Sequence, residues 1–242
     1  MINNYSITNI YEKPSNNSKL SSQMIYGEAF SVLNIKNNWI KIKTVNDNYI
    51  GFIKKKNFCQ KFIPKFKVSA PKAKIFIKKN QKIIPSKNYL YFNSRISFIN
   101  EQFNLIEFEK NKWIEKKNIK KINYIEKKIL KIFKLFLNTK YLWGGKSCEG
   151  IDCSALIQIY FLFNNKFFPR DTRDQLPYLK KNKRKLKIFK DRIIFWKGHV
   201  AFKINKNKLI HAYGPKKRVL IMNIKQTYEK IKKDTNLDPI FL

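Results

Sequence analysis

Apolar and polar residues alternate in short runs over the first half of this chain, and the alternation stops near Tyr124. Residues 39–43 and 49–53 show the pattern most clearly. Successive side chains of a strand point to opposite faces, so short alternating runs predict small antiparallel barrels rather than helices. With 43% hydrophobic residues, the chain has enough apolar surface to bury a core of this kind.

The alternating half contains a weak internal repeat. Residues 39–58 resemble residues 104–119, because each segment has two apolar runs, a loop between them and a Lys-Lys-Asn ending. A repeated supersecondary unit predicts two copies of one module. We therefore expect one barrel over residues 1–61 and a second over residues 62–122.

Beyond the alternating half, apolar residues recur at helical spacing. The residues that share one face are Ile125, Ile129, Ile132, Phe133 and Phe136. A stripe of this kind predicts a helix that packs on a core. A second helix is predicted from Cys153 or Ser154 to about Phe163. Thr172 and Gln175 have the spacing of a capping box, which predicts the start of a third helix.

Strand-like runs return after Asp191. They cover residues 193–196, 199–204, 208–212 and 219–222. The Asn-Lys-Asn sequence at 205–207 predicts a hairpin turn. Helices followed by an antiparallel sheet predict an α+β domain over residues 123–242.

The net charge of +36 suggests nucleic acid as a partner. The basic residues are 46 Lys and only 6 Arg, however, and the lysines are spread along the whole chain. Arg is the residue that suits base edges and phosphate forks. Nucleic acid is therefore an unfavoured partner, and the sequence does not show whether the charge serves any partner.

Three cysteines make an odd number with no disulfide framework, which indicates a reducing compartment. The N-terminal residues have neither a basic leader nor an apolar core before small residues. No apolar run approaches the roughly 20 residues that cross a membrane. We expect a soluble cytoplasmic protein with no membrane partner.

Cys153 has the setting of a catalytic nucleophile. Three of the seven glycines, Gly144, Gly145 and Gly150, come shortly before it, which predicts a tight backbone turn, although an ordinary turn between helices would also use them. A cysteine that starts a helix gains a lower thiol pKa from unpaired amides and the dipole. Its own amide can then stabilise an oxyanion. The other two cysteines are expected to be small buried hydrophobes.

The two histidines of the chain, His199 and His211, lie on adjacent predicted strands. Antiparallel pairing would place the imidazoles side by side, with His199 as the base and His211 bonded to its far nitrogen. A zinc site from Cys148, Cys153 and both histidines is an alternative, but its spacings strain the usual ranges. We expect no metal and no cofactor.

Several motifs together resemble the NlpC-type cell-wall cysteine peptidases. They are Tyr-Leu-Trp-Gly-Gly at 141–145, Asp-Cys-Ser at 152–154, Phe-Pro-Arg-Asp-Thr-Arg-Asp-Gln at 168–175, Ile-Ile-Phe-Trp at 193–196, Gly-His-Val at 198–200 and Ile-His-Ala at 210–212. The resemblance implies a compact papain-like fold. It implies Cys153 as nucleophile, His199 as base and His211 as the orienting third member, with Tyr141 assisting the oxyanion site.

The leading barrels resemble the bacterial SH3-like modules found on a subgroup of that family. The subgroup cleaves the γ-D-glutamyl–L-diamino acid bond of murein peptides that carry a free N-terminal L-alanine. The resemblance implies that Tyr49 contacts the amino end of the peptide and that Glu28 pairs with its ammonium group. It implies that Asp152, Ser154 and Thr172 complete the substrate-binding positions.

The sequence therefore predicts a cysteine peptidase that acts on murein-derived peptides in peptidoglycan recycling. One alternative is a broader murein endopeptidase or amidase. Another is a wall- or nucleic-acid-binding protein with an inactive catalytic domain. The preference for lysine or diaminopimelate and the oligomeric state stay open.

Overall fold

The computed structural model of the chain describes residues 1–60, 62–182, 184, 186, 189 and 191–241. The strands of the first sheet are β1 (Ile7–Tyr11), β2 (Leu20–Ile25), β3 (Phe30–Lys36), β4 (Trp39–Thr44) and β5 (Ile50–Lys54). Their order in the sheet is β2-β1-β5-β4-β3, and the paired strands are antiparallel. In β4 the isoleucines are buried and the lysines exposed, as the alternation predicts.

The next part of the chain forms two antiparallel sheets around a second apolar cluster. The strands are β6 (Phe66–Val68), β7 (Lys72–Lys79), β8 (Lys82–Tyr91), β9 (Arg95–Ile96), β10 (Asn100–Gln102), β11 (Leu105–Glu109), β12 (Lys112–Glu115) and β13 (Ile119–Lys121). The orders of the two sheets are β10-β11-β12-β7-β8 and β13-β6-β9. The repeated segments contribute β4–β5 and β11–β12. A second barrel of the same type as the first, and the domain boundaries, stay predictions.

The last part of the chain places helices against an antiparallel sheet. Its elements are α1 (Ile129–Lys134), β14 (Lys146–Ser147), β15 (Gly150–Ile151), α2 (Cys153–Phe163), α3 (Thr172–Lys181), β16 (Ile193–Trp196), β17 (His199–Lys203), β18 (Lys208–Tyr213), β19 (Arg218–Asn223) and α4 (Ile224–Thr235). The four-stranded sheet has the order β16-β17-β18-β19. Every residue of α2 is buried. This burial explains why the helix is apolar all round rather than amphipathic.

The structure corrects the predicted first helix. It begins at Ile129, whereas Ile125 is 44% exposed and lies outside both the helix and the core. The segment before the helix is held by other contacts, because Asn164 at the end of α2 accepts from the Glu126 amide at 2.8 Å. α4 was not predicted from the sequence.

The predicted capping box is wrong, although the third helix exists. Asp171 is the N-cap, and Thr172 is the first helical residue. The Gln175 side chain is fully buried and donates to the carbonyl oxygens of Ser154 at 3.0 Å and Pro169 at 2.9 Å. It therefore fastens α3 to the start of α2 instead of reaching back to a cap.

Buried polar contacts join the first β unit to the last part of the chain. The Lys146 ammonium lies 2.9 Å from both carboxylate oxygens of Glu28, and both side chains are 3% exposed. Arg170 Nε donates to Ser22 Oγ at 3.1 Å. These contacts fix the first β unit beside the start of α2. No helix in the described part of the chain is long and apolar enough to cross a membrane.

Candidate active site

A capped helix start positions Cys153. The Asp152 carboxylate accepts hydrogen bonds from the Ala155 amide at 2.8 Å, the Ser154 hydroxyl at 3.0 Å and the Gly144 amide at 2.9 Å. These bonds satisfy donors at the first turn of α2 and stop the helix from extending backwards. Cys153 is consequently the first helical residue, as predicted.

The glycines before Cys153 meet a steric requirement. A Cβ atom on Gly145 would lie 2.4 Å from the carbonyl oxygen of Gly150, which is far inside contact distance. Gly144 has a φ of +74°, a conformation that side chains rarely adopt. The predicted tight turn is therefore present, and it brings the chain back to the cap of α2.

Asp152 is engaged by Arg170 as well as by the helix start. Arg170 Nη2 lies 2.6 Å from Asp152 Oδ2, and Nη1 lies 3.0 Å from Oδ1. Both side chains are buried. Asp152 was expected to bind substrate, but protein donors already occupy both of its oxygens. Arg170 was not singled out from the sequence, although it is one of only six arginines.

The two histidines contact each other as predicted. His199 Nε2 lies 2.9 Å from His211 Nδ1. The His211 ring is fully buried and stacks on Tyr213, with centroids 4.8 Å apart and planes 8° apart. Burial lowers the pKa of His199 to about 4. Burial and the neighbouring His199 lower the pKa of His211 to about 3, so both rings are neutral at neutral pH.

The Cys153 thiol lies beside the chain segment that carries His199. Its Sγ is 4.0 Å from the carbonyl oxygen of Gly198. Among the described residues, no hydrogen bond joins this sulfur to the His199 ring. Burial and the Asp152 charge raise the thiol pKa to about 12, although the Val200 and Ser154 amides oppose the increase. The prediction of a lowered thiol pKa is wrong for this structure, because burial outweighs the helix start.

A cavity of about 830 Å³ opens on the thiol. Six of the predicted site residues line it, namely Cys153, Tyr141, Tyr49, Asp152, Ser154 and Thr172. Burial and the nearby Cys153 and Asp152 raise the pKa of Tyr141, so its hydroxyl stays protonated and can donate a hydrogen bond. The imidazole pair is not part of the lining among the described residues.

Glu28 lies away from this cavity. Its carboxylate is paired with Lys146, and Oε2 also accepts from the Ile25 amide at 3.1 Å. A buried carboxylate that already has an ammonium partner has no reason to bind a second one. The structure therefore does not bring the predicted ammonium partner to the site.

Two other carboxylates line the cavity, and the sequence reasoning missed both. Asp171 is the N-cap of α3, and burial raises its pKa although Arg170 and Arg173 oppose the increase. Glu12 directly follows β1. Asp171 belongs to the motif at 168–175, so the sequence did contain a signal that could have identified it as a site residue. Glu12 had no local signal, because only the fold carries β1 to the cavity.

The loop that carries Tyr49 is tied to the helix that carries Cys153. The Tyr49 amide donates to Thr44 Oγ1 at 2.8 Å, and the Thr44 hydroxyl donates to Asp47. Gln158, in the middle of α2, donates through Nε2 to Asp47 Oδ2 at 2.9 Å. One buried network therefore fixes both sides of the cavity.

The residues of the alternative zinc site are not gathered together. His199 and His211 are adjacent, but burial and Glu149 raise the pKa of Cys148 to about 11, and this thiol is not among the described residues that line the cavity. Within the described residues, no group of three or more His, Cys, Asp or Glu side chains has the arrangement of a metal site.

Two protein-family models match the chain. The NlpC/P60 family matches residues 138–235, and the bacterial dipeptidyl-peptidase SH3 domain matches residues 10–58. Dipeptidyl-peptidase 6 of Lysinibacillus sphaericus is 35% identical over 77 residues, which are 32% of this chain and 28% of the relative. A probable endopeptidase NlpC homolog of Haemophilus influenzae is 34% identical over 92 residues, 36% of this chain and 49% of the relative. The matches span less than half the length of each relative.

Solved structures share the fold. The crystal structure of a NlpC/P60 family protein from Bacillus cereus ATCC 10987 has a TM-score of 0.75 at 19% identity and covers 92% of this chain and 93% of that chain. An NlpC/P60 endopeptidase from Photobacterium damselae subsp. piscicida has a TM-score of 0.60 at 12% identity, covering 97% of this chain and 69% of that chain. The predicted resemblance is thus confirmed, and the chain carries an NlpC/P60 family domain preceded by a bacterial SH3 domain.

Proposed function

We propose that this chain is a cysteine peptidase that cuts the bond between γ-D-glutamate and an L-diamino acid in murein peptides with a free N-terminal L-alanine. The observation that carries the proposal is one cavity lined by the Cys153 thiol and by the carboxylates of Glu12 and Asp171. A thiol backed by paired imidazoles supplies acyl-transfer chemistry. Carboxylates in the same cavity suit a substrate with an ammonium end.

The neutral thiol and neutral imidazole define the first step. The Cys153 proton passes to His199 Nδ1, because Nε2 is already bonded to His211, and the sulfur attacks the γ-carbonyl carbon. The Cys153 amide and the Tyr141 hydroxyl stabilise the resulting oxyanion. The carbon–nitrogen bond breaks as His199 protonates the leaving amine. Water then gives a proton to His199 and attacks the thioester, and the sulfur recovers its proton.

The amino end of the peptide is recognised by Glu12 and Asp171 in this proposal. Glu28 is replaced in that role because it already neutralises Lys146. Tyr49 lines the same cavity, and its hydroxyl donates a long hydrogen bond of 3.4 Å to the carbonyl oxygen of Ser21. Because this bond is weak, the hydroxyl can exchange it for a hydrogen bond to the substrate at little cost. Thr172 keeps its proposed substrate contact, since it lines the cavity and its side chain forms no hydrogen bond with another of the described residues.

A cytoplasmic role in recycling murein peptides is part of the proposal. It is supported by the odd number of cysteines, three, which does not make a disulfide framework. It is also supported by the size of the cavity, which suits a short peptide rather than a polymer strand.

Cleavage of the tripeptide L-Ala-γ-D-Glu-L-Lys by purified protein tests the proposal. The wild type should release L-Lys, and Cys153→Ala should release none. An N-acetylated tripeptide is the matched substrate control, and it should be cut far more slowly. Equal cleavage of both substrates would indicate a broader murein endopeptidase, and no cleavage of either would reject the substrate.

The two cavity carboxylates have a separate test. Glu12→Gln and Asp171→Asn should each raise KM for the free tripeptide by roughly tenfold, the effect of losing one hydrogen bond to a charged group. Glu149→Gln is the control, because this exposed carboxylate pairs with Lys72 outside the cavity lining. An unchanged KM in both cavity variants would contradict the assignment of the amine site.

A further inference from the structure

The outer nitrogen of His211 contacts a thioether. His211 Nε2 lies 3.2 Å from the Sδ atom of Met222, and no other hydrogen-bond partner of this nitrogen is recorded in the described part of the chain. The imidazole is fully buried, so water does not replace the sulfur. The contact with the Met222 sulfur therefore decides whether this nitrogen carries a proton.

A thioether sulfur has lone pairs and no hydrogen, so it can only accept a hydrogen bond. The contact is favourable when His211 Nε2 is protonated and repulsive when two lone pairs face each other. A neutral imidazole carries one ring proton, so His211 Nδ1 then has a free lone pair. That lone pair faces His199 Nε2 at 2.9 Å. The shared hydrogen must therefore belong to His199 Nε2, which leaves His199 Nδ1 unprotonated.

We propose that Met222 is a positioning residue that selects the tautomers of both histidines and so keeps His199 Nδ1 available as the base for Cys153. Met222 is not among the described residues that line the cavity, and its influence on the rate rests on the proposed peptidase function. Carbonyl or carboxylate oxygens usually orient such a ring. Here the thioether takes that place without adding a charge to a buried site.

The backbone holds the sulfur in place. Met222 lies on β19, opposite Leu209 of β18, so it is a diagonal neighbour of His211 on the same face of the sheet. Its side chain packs in a cluster with Trp196 and Tyr228 between the sheet and α4. The position of the acceptor therefore depends on the sheet register rather than on a mobile side chain alone.

The tautomers can be measured without substrate. Long-range ¹H–¹⁵N correlation spectra of the full chain at pH 7 distinguish protonated from unprotonated ring nitrogens, and both rings are neutral there. The wild type should show protons on Nε2 of His199 and of His211. Protonation of His211 on Nδ1 instead would overturn the proposal, whether or not the protein cleaves the tripeptide.

Met222→Leu removes the acceptor and nearly conserves volume, and Met24→Leu makes the same change in the buried core of the first sheet. Met222→Leu should give mixed tautomers at His211 and lower kcat by about three- to tenfold with KM unchanged, as expected for one weak hydrogen bond. Met24→Leu should leave the spectra and kcat unchanged. Wild-type tautomers and kcat in a folded Met222→Leu protein would overturn the proposal.

Norleucine provides a second variant if Met222→Leu does not fold. In the Met24→Leu background, incorporation of norleucine replaces the Met222 sulfur by a methylene at almost constant shape. The same mixture of tautomers is expected. Unchanged His211 protonation in the norleucine protein would overturn the role of the sulfur. If the wild type cleaves no tripeptide, the spectra still decide on Met222, so the two failures are distinguishable.

Discussion

Removal of the Lys146–Glu28 ion pair distinguishes a structural role of Glu28 from substrate binding. Lys146→Met leaves a carboxylate buried without its ammonium partner, and Glu28→Gln leaves an ammonium without its carboxylate. Both side chains are 3% exposed, so solvent screens neither remaining charge. Breaking a buried pair in this way costs about 3–5 kcal/mol. Each single variant should therefore unfold at a clearly lower denaturant concentration.

The double variant should recover most of that stability. With Lys146→Met and Glu28→Gln together, no buried charge remains, and the Gln carbonyl can still accept from the Ile25 amide as Glu28 Oε2 does. The interaction free energy in this double-mutant cycle should therefore be large, on the order of 2–4 kcal/mol. Equilibrium unfolding in urea, followed by fluorescence of the four tryptophans, measures it.

The kinetics of the double variant test the placement of Glu28. A folded double variant should have the wild-type KM for L-Ala-γ-D-Glu-L-Lys, because Glu28 is not in the lining of the cavity. A tenfold increase in KM would refute the reasoning and restore Glu28 as the ammonium partner. Strictly additive losses of stability would refute the energetic part, since they would mean that the two charges do not interact.

Three other predictions follow from the buried polar groups. Gln158→Leu should raise KM about fivefold with kcat unchanged, because Asp47 loses a hydrogen bond and the loop that carries the Tyr49 ring loosens; an unchanged KM would contradict the link between the loop and α2. The acid limb of kcat/KM should fall near pH 4, since the base His199 has its pKa lowered to about 4 by burial and must be neutral; a limb near pH 6.5 would contradict this. Burial and Arg95 lower the pKa of Lys67 to about 8, below its unfolded value, so the free energy of unfolding should rise between pH 8 and 10.5 relative to Lys67→Met; parallel pH curves of the two proteins would contradict it.

Local patterns were sufficient for most elements and for the contact between the two histidines. The apolar run after Cys153 became α2 at its predicted limits, and the strand-like runs became β16 to β19. The pairing of His199 with His211 followed from a hairpin of known spacing. These features depend on periodicity and short-range turns, which a single sequence contains.

The missed features depend on distant packing. Gln175 has the spacing of a capping residue. In the fold, however, its buried side chain lies beside three carbonyl oxygens and donates to them instead of capping the helix. One of these oxygens belongs to α2, which a local pattern does not place. Glu28 and Glu12 are both acidic residues near strand ends of the first β unit, and only the docking of that unit separates the paired carboxylate from the one in the cavity. The thiol pKa also depends on burial, which motifs do not report.

The proposed function requires a strongly basic protein to bind a peptide by its ammonium end. The chain has 52 basic and 16 acidic residues, so its overall field attracts anions. If the substrate is the proposed murein peptide, its carboxylates are attracted to this basic surface. Inside the cavity both signs of charge are present, because Glu12, Asp171, Arg173 and Lys197 line it, while Asp152 is neutralised by Arg170. On the proposed function, Glu12 and Asp171 orient the peptide over short distances, so that its amino end binds beside them and the γ-carbonyl reaches Cys153.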